Sequence, residues 1–198
     1  MRGIVFLDRD GTINEEVEYL HRVEDLQLIP NAAKAIKALN HAGFKVFVVT
    51  NQSAIARGIL TETELGKIHE TLRKMLEKEG AHVDGWFYCP HHPEAGSGPF
   101  AQKCSCRKPN VGMIEQALSQ LNHQPKNKFV IGDSLVDIQL ALNSKAVPIL
   151  VKTGHGLSTL KALDQPIKKR VGYIAEDLFD AAKWILKKGA NSSFRAIP

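Results

Sequence analysis

The stretch Ile4-Val5-Phe6-Leu7-Asp8-Arg9-Asp10-Gly11-Thr12-Ile13-Asn14 decides how the rest of this 198-residue chain is read. Its first four residues form an apolar, β-rich run of the kind that becomes a buried strand, and two acids two residues apart stop it. Gly11 lets the backbone turn sharply where a side chain would obstruct it. In open α/β sheets ligands bind beyond the carboxyl ends of the strands. Asp8 and Asp10 therefore stand where two carboxylates can share a divalent cation while one attacks or protonates. Asp and Gly are also common in ordinary turns, so the pair needs support from the rest of the chain.

Outward from this loop, strand and helix signals alternate. Pro30 opens a helix in which Ala32, Ala35, Ile36 and Leu39 recur at helical spacing until Gly43 ends it. Residues 45–49 form a second strand ending at Thr50-Asn51-Gln52-Ser53. Thr61-Glu62-Thr63-Glu64 has the spacing of a capping box and starts a helix that runs to Gly80. A third strand at 85–89 leads into a loop rich in Pro, Gly, Cys and His that continues to Pro109. A helix at 111–121 precedes a fourth strand, 129–131, which ends in Gly132-Asp133. The next helix carries Leu135, Ile138 and Leu142 on one stripe. Strands at 147–151 and 171–174 and an amphipathic helix at 176–188 follow. Residues 14–28 are irregular and long enough for a flap over Asp8. No linker, repeat or low-complexity tract divides the chain. The pattern predicts one domain over 1–190, a Rossmann-like parallel sheet with helices on both faces, and a loosely ordered tail at 191–198. In that fold Asp8, Asp10, Thr50 and Asp133 converge on one rim.

The composition, 43% hydrophobic and 24% charged, is that of a globular protein that can bury a full core. No apolar run approaches the ~20 residues of a membrane span, and the start lacks a basic segment followed by an apolar stretch. A cytoplasmic monomer with no membrane partner is expected. The net charge of +5 suits an anionic partner, but its clusters, Lys168-Lys169-Arg170 and Lys187-Lys188, read as solvated surface.

The rim holds what hydrolysis of a phosphate ester needs. Asp8, placed first at the strand's end, can attack phosphorus to give an aspartyl phosphate. Asp10 can protonate the leaving oxygen and then take a proton from water. The Thr50 hydroxyl and the amides of Asn51, Gln52 and Ser53 can donate to the phosphoryl oxygens, and Lys108 can neutralise them. Asp133 completes a site of hard oxygens suited to Mg²⁺.

Asp8-Arg9-Asp10-Gly11-Thr12, Thr50-Asn51, Lys108 and Gly132-Asp133-Ser134-Leu135-Val136-Asp137 together resemble the four ordered motifs of the haloacid dehalogenase superfamily of phosphohydrolases. The resemblance runs from about residue 4 to 151. It implies Asp8 as nucleophile and Asp10 as general acid/base. It also implies Mg²⁺ held by the Asp8 carboxylate, the Asp10 backbone carbonyl and Asp133, with Asp137 in support.

All three cysteines lie within residues 89–106. Cys89-Pro90-His91 and Cys104-Ser105-Cys106 offer three thiolates and one imidazole, a set that closes a tetrahedral Zn²⁺ site, with His92 as the other candidate imidazole. With no open ligand position, that metal is structural. A zinc-bound loop insert followed by Arg107-Lys108-Pro109 is similar to the branch of the superfamily that contains heptose bisphosphate and histidinol-phosphate phosphatases. The heptose members are the nearer match through Asn14, the segment leading to Tyr19, Thr50 to Ser53, and Cys89-Pro90-His91-His92-Pro93. The likeness implies a Mg²⁺-dependent phosphatase of a small phosphorylated sugar, releasing the phosphate at carbon 7 on the route to lipopolysaccharide or surface-layer sugars. Arg107 then recognises the substrate, Asn14, Asn51, Gln52, Ser53 and Ser134 are further substrate-binding candidates, and no large cap domain covers the site. Ser134 stands where some heptose phosphatases have Lys, so that position does not separate the two substrates.

Three other readings compete: histidinol-phosphate phosphatase, polynucleotide 3′-phosphatase, and a zinc-stabilised nucleic-acid-binding module without catalysis. The last two lack an aromatic-lined basic stripe, and the third leaves Asp8, Asp10 and Asp133 without a task, so no nucleic-acid partner is expected.

Overall fold

The computed structural model describes residues 1–96, 98–122 and 125–190. The expected tail, 191–198, lies outside the described residues. The strands are β1 (Gly3–Leu7), β2 (Phe44–Asn51), β3 (Gly85–Cys89), β4 (Lys128–Gly132), β5 (Val147–Val151) and β6 (Tyr173–Ala175). All pair in parallel in the order β3-β2-β1-β4-β5-β6. β1 is buried at every residue, as its unbroken apolar sequence requires of a central parallel strand covered on both faces. The chain runs outward from β1 to β3 and then returns to the other side of β1 as β4. Doubly wound sheets bind ligands at such a reversal, and here the loops after β1 and β4 meet across it.

The alternation of side chains along the central strands builds two cores. Val5, Leu7, Val46 and Val48 pack with α1 (Ala32–His41), α2 (Glu62–Lys78) and α7 (Leu178–Ala190). Ile4, Phe6, Phe47 and Val49 pack on the other face with α3 (Gly112–Ser119) and α4 (Leu135–Asn143). α2 starts as its sequence predicts: Thr61 Oγ1 accepts from Glu64 N at 3.2 Å, and Glu64 Oε2 accepts from Thr61 N at 2.8 Å. Among the described residues, no helix is long and apolar enough to cross a membrane.

Three local expectations need correction, and a segment that carried no expectation is helical. Pro30 lies outside α1, because Asn31 takes the N-cap position with φ 63°, a conformation that Asn tolerates better than most residues. β2 runs on through Thr50 and Asn51, which pair with Tyr88 and Cys89, so the hydroxyl and amide groups expected in a loop sit on a rigid strand. The inward face of α4 is Asp137, Ile138, Leu140 and Ala141, whereas Leu135 is 40% exposed. The helix is rotated to bury the Asp137 carboxylate against Lys108, and that turns Leu135 outward. Two short helices, α5 (Gly156–Ala162) and α6 (Gln165–Lys168), lie between β5 and β6. α6 did carry a signal: Asp164 accepts from Ile167 N at 2.8 Å as its cap, and Pro166 sits in the first turn.

Candidate active site

The loop after β1 closes on itself. Ile13 N donates to Arg9 O at 2.8 Å and Gly11 N to Asn14 O at 2.8 Å, which throws the Asp8 and Asp10 side chains toward the β1/β4 crevice. Gly11 has φ +71°, and a Cβ there would lie 2.2 Å from Asp133 Oδ2. Gly154, just beyond β5, would bring a Cβ equally close from the other side. Asp133 is thus held between two backbones that approach only because both residues are glycine, and His155 N donates to its Oδ2 at 2.7 Å. Sequence reasoning missed Gly154 and His155, although the loop beyond β5 was a place to look once the sheet order was known.

Lys108 is buried, and its Nζ lies 2.8 Å from Asp8 Oδ2 and 2.7 Å from Asp137 Oδ1. Asp137 also accepts from Ser134 N, at 3.2 Å, and from the Ser134 hydroxyl. Its two oxygens are therefore committed to Lys108 and Ser134, which fits a supporting role and leaves Asp8 and Asp133 to face the cleft. Carboxylate oxygens of Asp8, Asp133 and Asp137 lie within 4.8 Å of one another. Three acids around one ammonium leave an excess of negative charge in a poorly hydrated place. Burial, reinforced by Asp137 and Asp133 and opposed by Lys108, pushes the Asp8 carboxyl up to about 8. Burial likewise raises Asp133 to about 6. For Lys108 burial pulls downward, but Asp137 and Asp8 outweigh it and raise the ammonium above its ordinary value, so it stays charged. Hard oxygen donors with uncompensated charge fit a divalent cation such as Mg²⁺.

Asp10 is tuned in the opposite direction. Burial alone would raise it. The Arg9 guanidinium, with bonds from Asn14 and Gln52, holds it below the usual carboxylate range. Arg9 Nη2 lies 2.9 Å from both Asp10 oxygens, Asn14 Nδ2 donates to Oδ1 at 2.9 Å, and Gln52 Nε2 to Oδ2 at 2.9 Å. This corrects the expectation for Asn14. It is wholly buried beneath the loop, its Nδ2 donates to Asp10 and Glu15 O, and it is not among the residues that line the cleft.

Asp8, Asp10, Thr50, Asn51, Gln52 and Ser53 line one cleft of about 730 Å³, facing Arg107, Lys108, Asp133 and Ser134. Residues 16–20 form its outer wall, where a flap was expected. Glu16 in that wall is raised to about 7, by burial first and by the nearby Asp10 carboxylate second.

The cysteine loop reaches this cleft through its last residues. Sγ atoms of Cys89, Cys104 and Cys106 lie 3.1–3.5 Å apart, and His91 Nδ1 is 3.6 Å from Cys89 Sγ and 3.4 Å from Cys106 Sγ. Tetrahedral zinc with thiolate bonds of ~2.3 Å places its ligands ~3.8 Å apart, close to this set. His92 turns away: its Nδ1 accepts from Glu94 N at 3.1 Å and Ala95 N at 2.9 Å, and His91 is the imidazole that lies with the three thiols. Arg107 N donates to Cys104 Sγ at 3.3 Å, and Arg107 Nη1 to His91 O at 3.0 Å. Lys108 follows directly, its N donating to Asn51 Oδ1 at 3.0 Å. Cys106→Ala, or prolonged chelation, is expected to lower kcat/KM by about tenfold or more while global stability falls less, because Arg107 and Lys108, two cations that line the cleft, follow directly on this loop. Added Mg²⁺ should not restore the loss. Elemental analysis that finds no zinc in the parent protein, or full kcat/KM in a zinc-free variant, would refute this.

A buried carboxylate beside a lysine at a strand end, a second carboxylate two residues on, and a third acid across a parallel-sheet crevice are the parts of a hydrolase that works through a covalent aspartyl intermediate. The HAD-hydrolase-like family model matches residues 105–181. A D-glycero-beta-D-manno-heptose-1,7-bisphosphate 7-phosphatase of Pasteurella multocida is 38% identical over 193 residues, 97% of this chain and 100% of that protein. A D-glycero-D-manno-heptose-1,7-bisphosphate 7-phosphatase of Thermosynechococcus vestitus is 40% identical over 93% of this chain and 95% of its own length. This chain belongs to the haloacid-dehalogenase-like hydrolases. Among solved structures it is similar to a D,D-heptose 1,7-bisphosphate phosphatase of B. bronchiseptica complexed with magnesium and phosphate. That match has TM-score 0.81 and 32% identity and covers 94% of this chain and 99% of the other.

Proposed function

We propose that this chain hydrolyses the 7-phosphate of D-glycero-D-manno-heptose 1,7-bisphosphate. The observation that carries the reading is the Asp8–Lys108–Asp137 chain of contacts at the wall of the cleft, with Asp8 Oδ1 held by Arg9 N at 2.7 Å and Asp133 lining the same cleft, in a protein similar over nearly its whole length to named phosphatases of that sugar. The Asp8 carboxylate attacks phosphorus, the bond to the sugar oxygen breaks, and an aspartyl phosphate forms. Lys108 and the Thr50 hydroxyl hold the phosphoryl oxygens. Asp8, the Asp10 backbone carbonyl and Asp133 would hold Mg²⁺, which would supply charge neutralisation at those oxygens. Asp10 is ionised as it stands, the form that takes a proton from water when the aspartyl phosphate is hydrolysed. The approach of a substrate phosphate raises its proton affinity, as any neighbouring anion does, and that yields the acid form needed for the leaving sugar oxygen.

Phosphate release from the heptose 1,7-bisphosphate, with histidinol phosphate and a DNA 3′-phosphate as parallel substrates and Mg²⁺ present, tests the proposal. Phosphorus NMR should show the 1-phosphate retained. A higher kcat/KM on histidinol phosphate or on DNA would overturn it. Arg107 faces the cleft with one nitrogen on His91 O, so its position is set by the zinc loop. Arg107→Ala is expected to raise KM for the bisphosphate about tenfold, with a smaller change in kcat, since the residue binds the substrate in ground and transition states alike. Steady-state kinetics that show the loss in kcat alone would exclude that role.

A further inference from the structure

Arg9 separates the two acids of the loop and is fully buried, an unusual place for a residue that keeps its charge. Its donors are distributed with little to spare. Nε and Nη2 grip Asp10 at 2.9–3.1 Å, and Nη2 also reaches Gln52 Oε1 at 3.3 Å. Nη1 lies 3.1 Å from His69 Nε2, a partner 60 positions away on α2. A guanidinium only donates, so the ring nitrogen facing it must accept. His69 is therefore a neutral imidazole with its proton on Nδ1. Burial, and after it the charge of Arg9, depress its pKa to about 3, in keeping with that form. The ring is held in place by β3, with Trp86 at 5.2 Å and Tyr88 at 6.0 Å between centroids.

We propose that His69 is a positioning residue for Asp10: by accepting from Nη1 it fixes the rotation of the Arg9 fork, and the fork fixes the Asp10 carboxyl. The inference rests on the reading of Asp10 as the acid that protonates the leaving oxygen. Small displacements of such a group are costly, because proton transfer requires hydrogen-bond reach of the reacting oxygen. A purely structural His69 would contribute its ring packing on Trp86, and two substitutions separate these roles. His69→Phe keeps the ring and removes the acceptor, whereas His69→Gln keeps an acceptor near the place of Nε2 and removes the ring.

Rapid-quench measurement of phosphoenzyme formation, with the heptose bisphosphate and with p-nitrophenyl phosphate, distinguishes them. The sugar alkoxide needs a proton as it leaves and the nitrophenolate does not. The His69→Phe variant is expected to form the phosphoenzyme about tenfold more slowly from the sugar phosphate, with KM within about twofold, and less than about twofold more slowly from the aryl phosphate. The His69→Gln variant should recover most of the lost rate. Parent-like rates in His69→Phe, an equal loss in His69→Gln, or equal losses on both substrates would overturn the proposal. If the parent forms no phosphoenzyme from either substrate, the covalent route through Asp8 fails, and the Asp10 step and this inference fail with it. Nitrogen NMR of the parent's histidine rings is independent of how the variants fold. It should show a neutral His69 protonated on Nδ1 from about pH 5 to about pH 8, and an Nε2-protonated or charged ring would refute the contact.

Discussion

Asp8→Asn is expected to reduce turnover at least about 10³-fold while the protein remains folded, because an amide cannot attack phosphorus and no other carboxylate shares the position of Asp8. The same substitution should not weaken the fold. In metal-free buffer Asp8 is raised from 3.8 to about 8 by burial, with Asp137 and Asp133 adding to it and Lys108 opposing it. A carboxyl whose folded pKa lies above its unfolded one binds more protons when folded, so its contribution to stability falls as pH rises through that window. The Asn variant has no such group. Its melting temperature should therefore equal or exceed the parent's, by a margin that widens as pH rises from 3.8 toward about 8. Activity within about tenfold of the parent would dismiss the covalent route. A variant that melts well below the parent at neutral pH would show that the carboxylate stabilises the fold through Lys108 more than its burial costs.

Lys108→Met should also remove turnover, but with the opposite effect on stability. The ammonium is buried between Asp8 and Asp137, at 2.8 and 2.7 Å, and Asp133 is close by. Taking away this ammonium leaves three acids within 4.8 Å of one another without it. Breaking a buried ion pair at one partner costs about 3–5 kcal/mol. For a chain of this size that corresponds to a fall in melting temperature of about 6–20 °C. Loss of a charge aimed at the phosphoryl oxygens is expected to lower kcat/KM by about 10²–10³-fold. Calorimetry and kinetics on the two variants together form the test. If Lys108→Met melts with the parent, the Lys108 contacts are not what balances the acids.

The motifs were legible because each is local. Asp8-Arg9-Asp10-Gly11 needs only a buried strand ahead of it and a glycine that turns, and both are written in adjacent residues. The sheet followed from strands too apolar for a solvent-facing side, and the metal cluster from three cysteines within 18 positions, 89–106. Which acid is ionised was not legible. Asp8 and Asp10 look alike in sequence, yet burial among other acids raises one while Arg9, Asn14 and Gln52 lower the other. Nor did any pattern mark Asn14 as turned inward, α4 as rotated to aim Asp137 at Lys108, or His91 and not His92 as the ring beside the thiols. Gly154 and His155 beneath Asp133, and His69 behind Arg9, come from segments far from their partners in the chain. Residue type and spacing determined which groups stand at the strand ends. The desolvation, charge and hydrogen bonding that set their chemistry depend on side chains brought from distant segments, and only the packed tertiary structure decides those.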